Sequence, residues 1–150
     1  MSHILDRWKP GQYQPMNVVY FLVQAGMGCL LFNSNTTLTW EEANIYCQEE
    51  ENGTLLQIWN ELQFEFIRME LGFLSDHVQV ERWWTSGTDA GKEGTWQWAS
   101  SLVPVGDFIW YPGQPQGDPY LNCLYLYQGS DFFGRDNTCS SNFAAICERK

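Results

Sequence analysis

Basic residues are scarce in this chain. Lys and Arg together number 8 against 18 Asp and Glu, for a net charge of −10. A surface this acidic repels a phosphate backbone and an anionic membrane, so neither nucleic acid nor a membrane surface is an expected partner. Histidine is nearly absent, at His3 and His77. None of the cysteines stands in a C-x-x-C pair, which argues against a zinc site or a thioredoxin-type redox pair. With so little imidazole, no Ser-His-Asp or Cys-His nucleophile set can be assembled, and the chain is expected not to be an enzyme. Charged residues are only 17% of the chain, below the usual quarter, which excludes a coiled coil or a disordered tail. The longest apolar run, Val18–Phe32, is interrupted by Gln24 and falls short of the ~20 residues that span a bilayer. There is no internal repeat.

Rings and cysteines are what the chain has in excess. Hydrophobic residues make up 44% of its 150 residues and aromatics 16%, with eight Trp. That is material for one compact core that relies on rings. The five cysteines are Cys29, Cys47, Cys123, Cys139 and Cys147. They read as disulfides of an oxidising compartment. Two pairs can be drawn from five in fifteen ways, with one Cys left over, so counting alone does not assign them. Asn35-Thr36-Thr37 and Asn52-Gly53-Thr54 match glycosylation acceptors and agree with secretion. Met1 to Gly11 lack the pattern of a secretory signal, so the expectation is a mature extracellular chain without its signal peptide.

Along the chain, Met1 to Pro15 is polar and holds Pro10, Gly11 and Pro15, which predicts a flexible arm ahead of a single domain at 16–150. A buried hairpin follows, with strands near Val18–Val23 and Cys29–Asn33. Thr39-Trp40-Glu41-Glu42 forms a capping box, so a helix should run from Trp40 to Glu50 with Trp40, Ala43 and Cys47 on its inner face. A second box, Asn60 to Gln63, opens a second helix with an inner stripe of Leu62, Phe66, Ile67 and Met69, closed by Gly72. Thr95–Ala99, Asn122–Tyr127, Asp131–Arg135 and Phe143–Glu148 read as strands. Ser100 to Tyr120 holds four Pro and three Gly and is long for a connection. Two helices followed by short strands predict an α+β fold with antiparallel sheet.

The motifs resemble those of the C-type lectin-like domain family, in its invertebrate form. Thr39-Trp40-Glu41-Glu42-Ala43 with Cys47 looks like the family's first helix. Trp84-Thr85-Ser86-Gly87-Thr88-Asp89, then Glu93-Gly94-Thr95-Trp96 and Trp98, is similar to its central strand motif and the strand beyond. Trp110-Tyr111-Pro112-Gly113-Gln114-Pro115-Gln116 resembles its loop tripeptide. Asp136 lies three residues before Cys139, and Ala145-Ile146-Cys147-Glu148 matches the closing strand. The likeness extends from about Val18 to Lys150.

The resemblance implies two disulfides, Cys47–Cys147 and Cys123–Cys139. The first would close a loop of about 100 residues, worth roughly 4–5 kcal/mol in the chain-entropy account. Cys29 is then either buried and inert or joined to a second chain, making a homodimer. The resemblance also implies a cis Gln114–Pro115 bond, and sugar binding through a calcium ion that takes protein oxygens and two sugar hydroxyls. Mapped onto this chain, the calcium ligands would be Gln114, Gln116 and Asp136. Gln114 at the first place of the tripeptide points to a galactose-type preference. Leu121 stands where the family has a carboxylate, and Arg135 where it has an oxygen donor. Such a set should hold calcium weakly, on the order of mM. Asp89 and Glu93 would match an auxiliary calcium position.

Tyr111, Tyr120 and Trp110 flank the loop, and Tyr125, Tyr127, Phe132 and Phe133 follow it. Rings of this kind stack on sugar faces. Gln114, Gln116, Asp118, Asn122, Arg135 and Asp136 could hydrogen-bond a sugar. Trp96, Trp98 and Trp110 read more simply as core. The expected function is therefore a secreted, non-catalytic lectin for glycans or glycoproteins. The competing expectation is a lectin-like domain that binds a protein or a surface and no sugar.

Overall fold

A computed structural model of the chain describes residues 2–4, 17–22 and 28–149. The described strands are β1 (Ser2–Ile4), β2 (Asn17–Leu22), β3 (Cys29–Leu38), β4 (Thr54–Leu55), β5 (Arg82–Thr88), β6 (Gln97–Trp98), β7 (Cys123–Tyr127), β8 (Gly134–Asn137) and β9 (Phe143–Arg149). The helices are α1 (Trp40–Glu49) and α2 (Glu61–Leu74). The sheet runs β1-β2-β3-β9-β5-β7-β8, with β4 on β9 and β6 on β5. The hairpin of β2 and β3 pairs Val18 with Phe32 and Phe21 with Cys29. Its turn lies outside the described residues. So does the expected arm, Met1 to Pro15, apart from Ser2–Ile4, which pairs with Tyr20–Leu22.

The fold is α+β, but the sheet is not wholly antiparallel as the sequence suggested. β5 and β9 lie parallel, with Trp83 opposite Ala144 and Trp84 opposite Ala145. They can do so because the long loop and three further strands separate them, and a parallel pair needs such a long connection. Two other strands are displaced or shortened. Only Gln97–Trp98 of the expected Thr95–Ala99 joins the ladder. Asp131 and Phe132 have left-handed backbones, with φ of 53° and 62°, so the strand expected from Asp131 begins instead at Gly134.

Helix α1 starts where its capping box dictates. The Thr39 hydroxyl accepts from the Glu42 N–H at 3.2 Å, and Glu42 accepts from the Thr39 N–H at 2.9 Å. In α2, Asn60 caps the Gln63 N–H at 2.9 Å, while the Gln63 amide oxygen reaches one residue further back, to the Trp59 N–H, at 2.8 Å. The inner stripe expected of α2 holds for Ile67, which is buried, and for Phe66, which packs against the core, but not for Leu62 and Met69. Leu62 and Met69 are 64% and 54% exposed, and the buried apolar residues are Phe64, Ile67, Leu71 and Leu74. Leu62 and Met69 share helical spacing with Phe66, just as Phe64, Leu71 and Leu74 do with Ile67, so periodicity could not choose between the two sets. The helix also runs past Gly72, because Leu74 is seated in the core and Ser75 forms the cap.

Strand alternation divides the core into two layers. On one face, Leu30, Phe32, Trp83, Leu124, Leu126 and Ile146 pack under α2. On the other, Leu31, Trp84, Tyr125, Ala145 and Cys147 pack under α1 with Ala43 and Cys47. Trp84 donates its indole N–H to the Leu38 carbonyl at 2.8 Å, and Trp40 donates to Thr85 at 2.8 Å. Gly87 is required where β5 meets β7, since a Cβ there would lie 2.9 Å from the Leu124 side chain.

Candidate functional site at the long loop

Disulfides tie down both ends of the region. Cys47 and Cys147 are bridged with their Cα atoms 5.4 Å apart, joining α1 to β9. Cys123 and Cys139 are bridged at 5.2 Å, joining β7 to the turn after β8. Cys29 is buried on β3 and belongs to neither bridge. Between β6 and β7 the chain forms the long loop, whose Gln114–Pro115 peptide bond is cis.

The loop tripeptide is docked on β8 by two hydrogen bonds. The Gln116 N–H donates to Asp136 Oδ2 at 2.8 Å, and the Asp136 N–H donates to Gln114 Oε1 at 3.3 Å. Asp136 is only 4% exposed, and its Oδ1 has no hydrogen-bonding partner. Asp89 repeats the pattern at the end of β5. It is 2% exposed, its Oδ2 accepts from the Gly94 N–H at 2.9 Å, and its Oδ1 is unpartnered. Asn122 is the third case. Its amide N–H₂ donates to the Pro119 carbonyl at 2.9 Å, and its Oδ1 is buried without a donor. The Asn122 carbonyl receives the Thr88 hydroxyl at 2.6 Å and the Asp89 N–H at 3.2 Å, which brings these ends of β5 and β7 together.

The electrostatics agree with the geometry. Burial pushes the Asp136 carboxyl above its ordinary range, and the charge of Asp89 pushes the same way, while backbone N–H groups including that of Gln116 pull against them. The Glu93 carboxyl is also raised, by desolvation first, then by the nearby Asp89 carboxyl and by the charges of Asp118 and Asp136. Asp89, Asn122 and Asp136 thus each keep one buried oxygen without a partner, in a region where the charges of Asp89, Asp118 and Asp136 reach Glu93. Such oxygens favour a cation or an external donor. Among the described residues no three acid, His or Cys side chains converge closely enough to hold a metal by themselves. An ion held by Asp89, Asn122 and Asp136 would have to complete its shell with neutral oxygens, such as the Gln116 amide. The residues therefore fit calcium as a weak site.

Arg135 does not occupy this acidic pocket. It neighbours Asp136 on β8, and adjacent strand residues point to opposite faces. Its Nε donates to the Ser130 hydroxyl at 2.5 Å, and its guanidinium lies 4.8 Å from the Tyr111 ring centre. Arg135 therefore brings no oxygen to Asp136, and its guanidinium is engaged by Ser130 and the Tyr111 ring. Of the other candidates, Asp118 accepts the Tyr120 N–H at 2.8 Å and shapes the loop tip. Tyr120 is 78% exposed there. Tyr125 and Phe132 are buried in the core and present no ring to a ligand. Trp96 and Trp98 are buried, with Trp96 edge-on to Trp110 at 4.9 Å.

A profile of the lectin C-type domain matches residues 36–149. The chain belongs to the C-type lectin domain family. The lectin-type domain is 29% identical to human lithostathine-1-beta, over 81% of this chain and 72% of that protein. It is 29% identical to the human secretory phospholipase A2 receptor over 81% of this chain but only 8% of the receptor. Among solved structures it is similar to the mouse scavenger receptor C-type lectin carbohydrate-recognition domain, at 27% identity and a TM-score of 0.68, covering 81% of this chain and 87% of that one. A calcium-independent type II antifreeze protein shares the fold, at 22% identity and a TM-score of 0.63, with 81% and 85% covered. Members of this family are in general binding proteins without catalytic activity. No helix of the described residues is long and apolar enough to cross a membrane.

Proposed function

We propose that this lectin-type domain is an extracellular, non-catalytic module that binds glycans or glycoproteins through its long loop, with weak help from calcium. The observation that carries the reading is the set of buried, unpartnered oxygens on Asp89, Asn122 and Asp136 beside the docked tripeptide Gln114-Pro115-Gln116. When bound, calcium would supply a Lewis-acidic centre for two sugar hydroxyls. The protein's own part is to hold Asp136 rigid through the Gln116 and Gln114 contacts, and to offer amides and the exposed ring of Tyr120 to the sugar. Gln114 favours a galactose-type preference. The mouse scavenger receptor C-type lectin carbohydrate-recognition domain, 27% identical, supports this reading.

A second reading has a specific observation behind it. Leu121 stands two residues before Cys123 and brings no oxygen to the loop, and Gln114 Oε1 is engaged by the Asp136 N–H. A loop so occupied would suit a protein or surface partner and no sugar. Glycan-array binding, with calcium and with chelator, separates the two. Binding to terminal galactose that weakens with chelator supports the first. Absence of binding to any glycan under both conditions removes it.

A further inference from the structure

Away from the acidic pocket, one exposed sheet face carries a row of alternating rings and guanidinium groups. Arg135 lies 4.8 Å from the Tyr111 ring centre and 5.7 Å from that of Tyr127. Arg82 lies 4.6 Å from the same Tyr127 ring and 6.0 Å from Phe143. The order is Tyr111, Arg135, Tyr127, Arg82, Phe143, and all five are partly exposed. Sharing one ring puts the two guanidinium groups within about 10 Å of each other. In a chain of net charge −10 this pairing runs against the overall composition.

The two arginines also keep donors to spare. Among the described residues, Arg68 is held by Glu65 and Asp131, and Arg149 by Glu51. Arg135 has no carboxylate within ion-pair distance among those residues, and its one hydrogen bond, to Ser130, uses Nε alone. Arg82 has a long contact of 3.4 Å from Nη1 to the neighbouring Glu81. A guanidinium stacked on a ring has its face covered and its N–H edge turned outward, the geometry that grips an oxyanion with two bonds. Arg82 and Phe143 also line an open cleft of about 580 Å³, whose wall mixes the polar Thr37, Ser75, Gln128 and Asn142 with Val78, Val80 and the Glu81 carboxylate. Arg82 begins β5 and Asp89 follows its end, so this cleft lies about 20 Å from the acidic pocket at ~3.3 Å per strand residue.

We infer that this row is a second binding site, for an anionic saccharide. Tyr111, Tyr127 and Phe143 offer ring faces to sugar C–H groups. Arg135 and Arg82 take sulfate or carboxylate groups on successive parts of the chain, and the polar side chains of the cleft take hydroxyls beyond Arg82. No metal is involved, and the site does not rest on the loop reading.

The test measures binding of the full chain, in chelator, to chondroitin sulfate, to hyaluronan and to neutral dextran. Chelator silences the calcium route, so failure here and failure at the loop are told apart. Binding to chondroitin sulfate but not dextran is expected, and binding to hyaluronan too would assign the recognised group to carboxylate rather than sulfate alone. Arg135→Gln and Arg82→Gln should each weaken it about tenfold, as loss of a charge-assisted bond does. Arg135→Lys should not restore it, because an ammonium lacks the planar fork. On the unaltered protein, the polysaccharide should protect Arg82 and Arg135 from an arginine-selective reagent, read by peptide mass. The inference is overturned if neither anionic polysaccharide binds, or if the Gln variants bind as well as the parent. Unchanged labelling of both arginines in the presence of polysaccharide would overturn it as well.

Discussion

Ile67→Ala should be among the most damaging single changes in α2, and Met69→Ala among the mildest. Ile67 is fully buried among Phe64, Leu71 and the rings beneath the helix, whereas Met69 is 54% exposed. Truncating a buried Ile to Ala removes its transfer free energy and leaves a cavity in a close-packed layer, a cost of about 2–5 kcal/mol. For a domain of this length each kcal/mol moves the melting temperature by about 2–4 °C. A loss of roughly 6–12 °C follows for a cost near 3 kcal/mol. Met69→Ala, at a surface position, should stay within about 0.5 kcal/mol. Thermal and urea melts with the disulfides intact measure both. If Met69→Ala or Leu62→Ala cost as much as Ile67→Ala, the helix would present its other face to the core and the packing described above would be wrong.

Three further outcomes are expected. Burial holds the Glu70 carboxyl above its ordinary value, so Glu70 favours the fold fully only below that ordinary value, and the contribution is lost as pH rises through the raised one. Glu70→Gln should therefore raise the melting temperature at pH 7, with the gain vanishing in acid; a gain that persists well below pH 4 would contradict this. Replacing Cys123 and Cys139 together by Ala should cost about 3 kcal/mol from a bridge spanning 16 residues, and should weaken ligand binding at the loop more than it disturbs the α2 core. Gln114→Ala removes the acceptor for the Asp136 N–H and should lower glycan affinity about tenfold with less than about 1 kcal/mol lost from the fold, read by array titration and melting.

Local chemistry made part of this legible in the sequence. The Thr39 box fixes the start of α1 because its partners lie three residues apart, and the ordered motifs from Thr39 to Glu148 carry the family by themselves. What was misjudged depended on tertiary context. α2 offers two sets of residues at helical spacing, and only the sheet beneath it selects Phe64 and Leu71, beside the expected Ile67, over Leu62 and Met69. The parallel pairing of β5 with β9 depends on where a long connection returns, which no local pattern encodes. The left-handed turn at Asp131 and Phe132 delays β8 to Gly134, and nothing in the residue types announces it. At the candidate site, residue types pointed to Asp136, Asp89 and Asn122, but the orphaned oxygens that join them appear only when the strands are assembled. The row from Tyr111 to Phe143 draws on the loop and four strands, and no local pattern ties Arg82 and Phe143 to the loop residues.

The measurement closest to the central claim is calorimetric titration of calcium into the full chain and into Asp136→Asn. The parent should bind with a dissociation constant on the order of 1 mM, the weak end for extracellular modules, and the variant should show no binding heat. An absence of heat in the parent at several times that concentration, or equal binding by the variant, would mean that the buried oxygens of Asp89, Asn122 and Asp136 do not form a cation site.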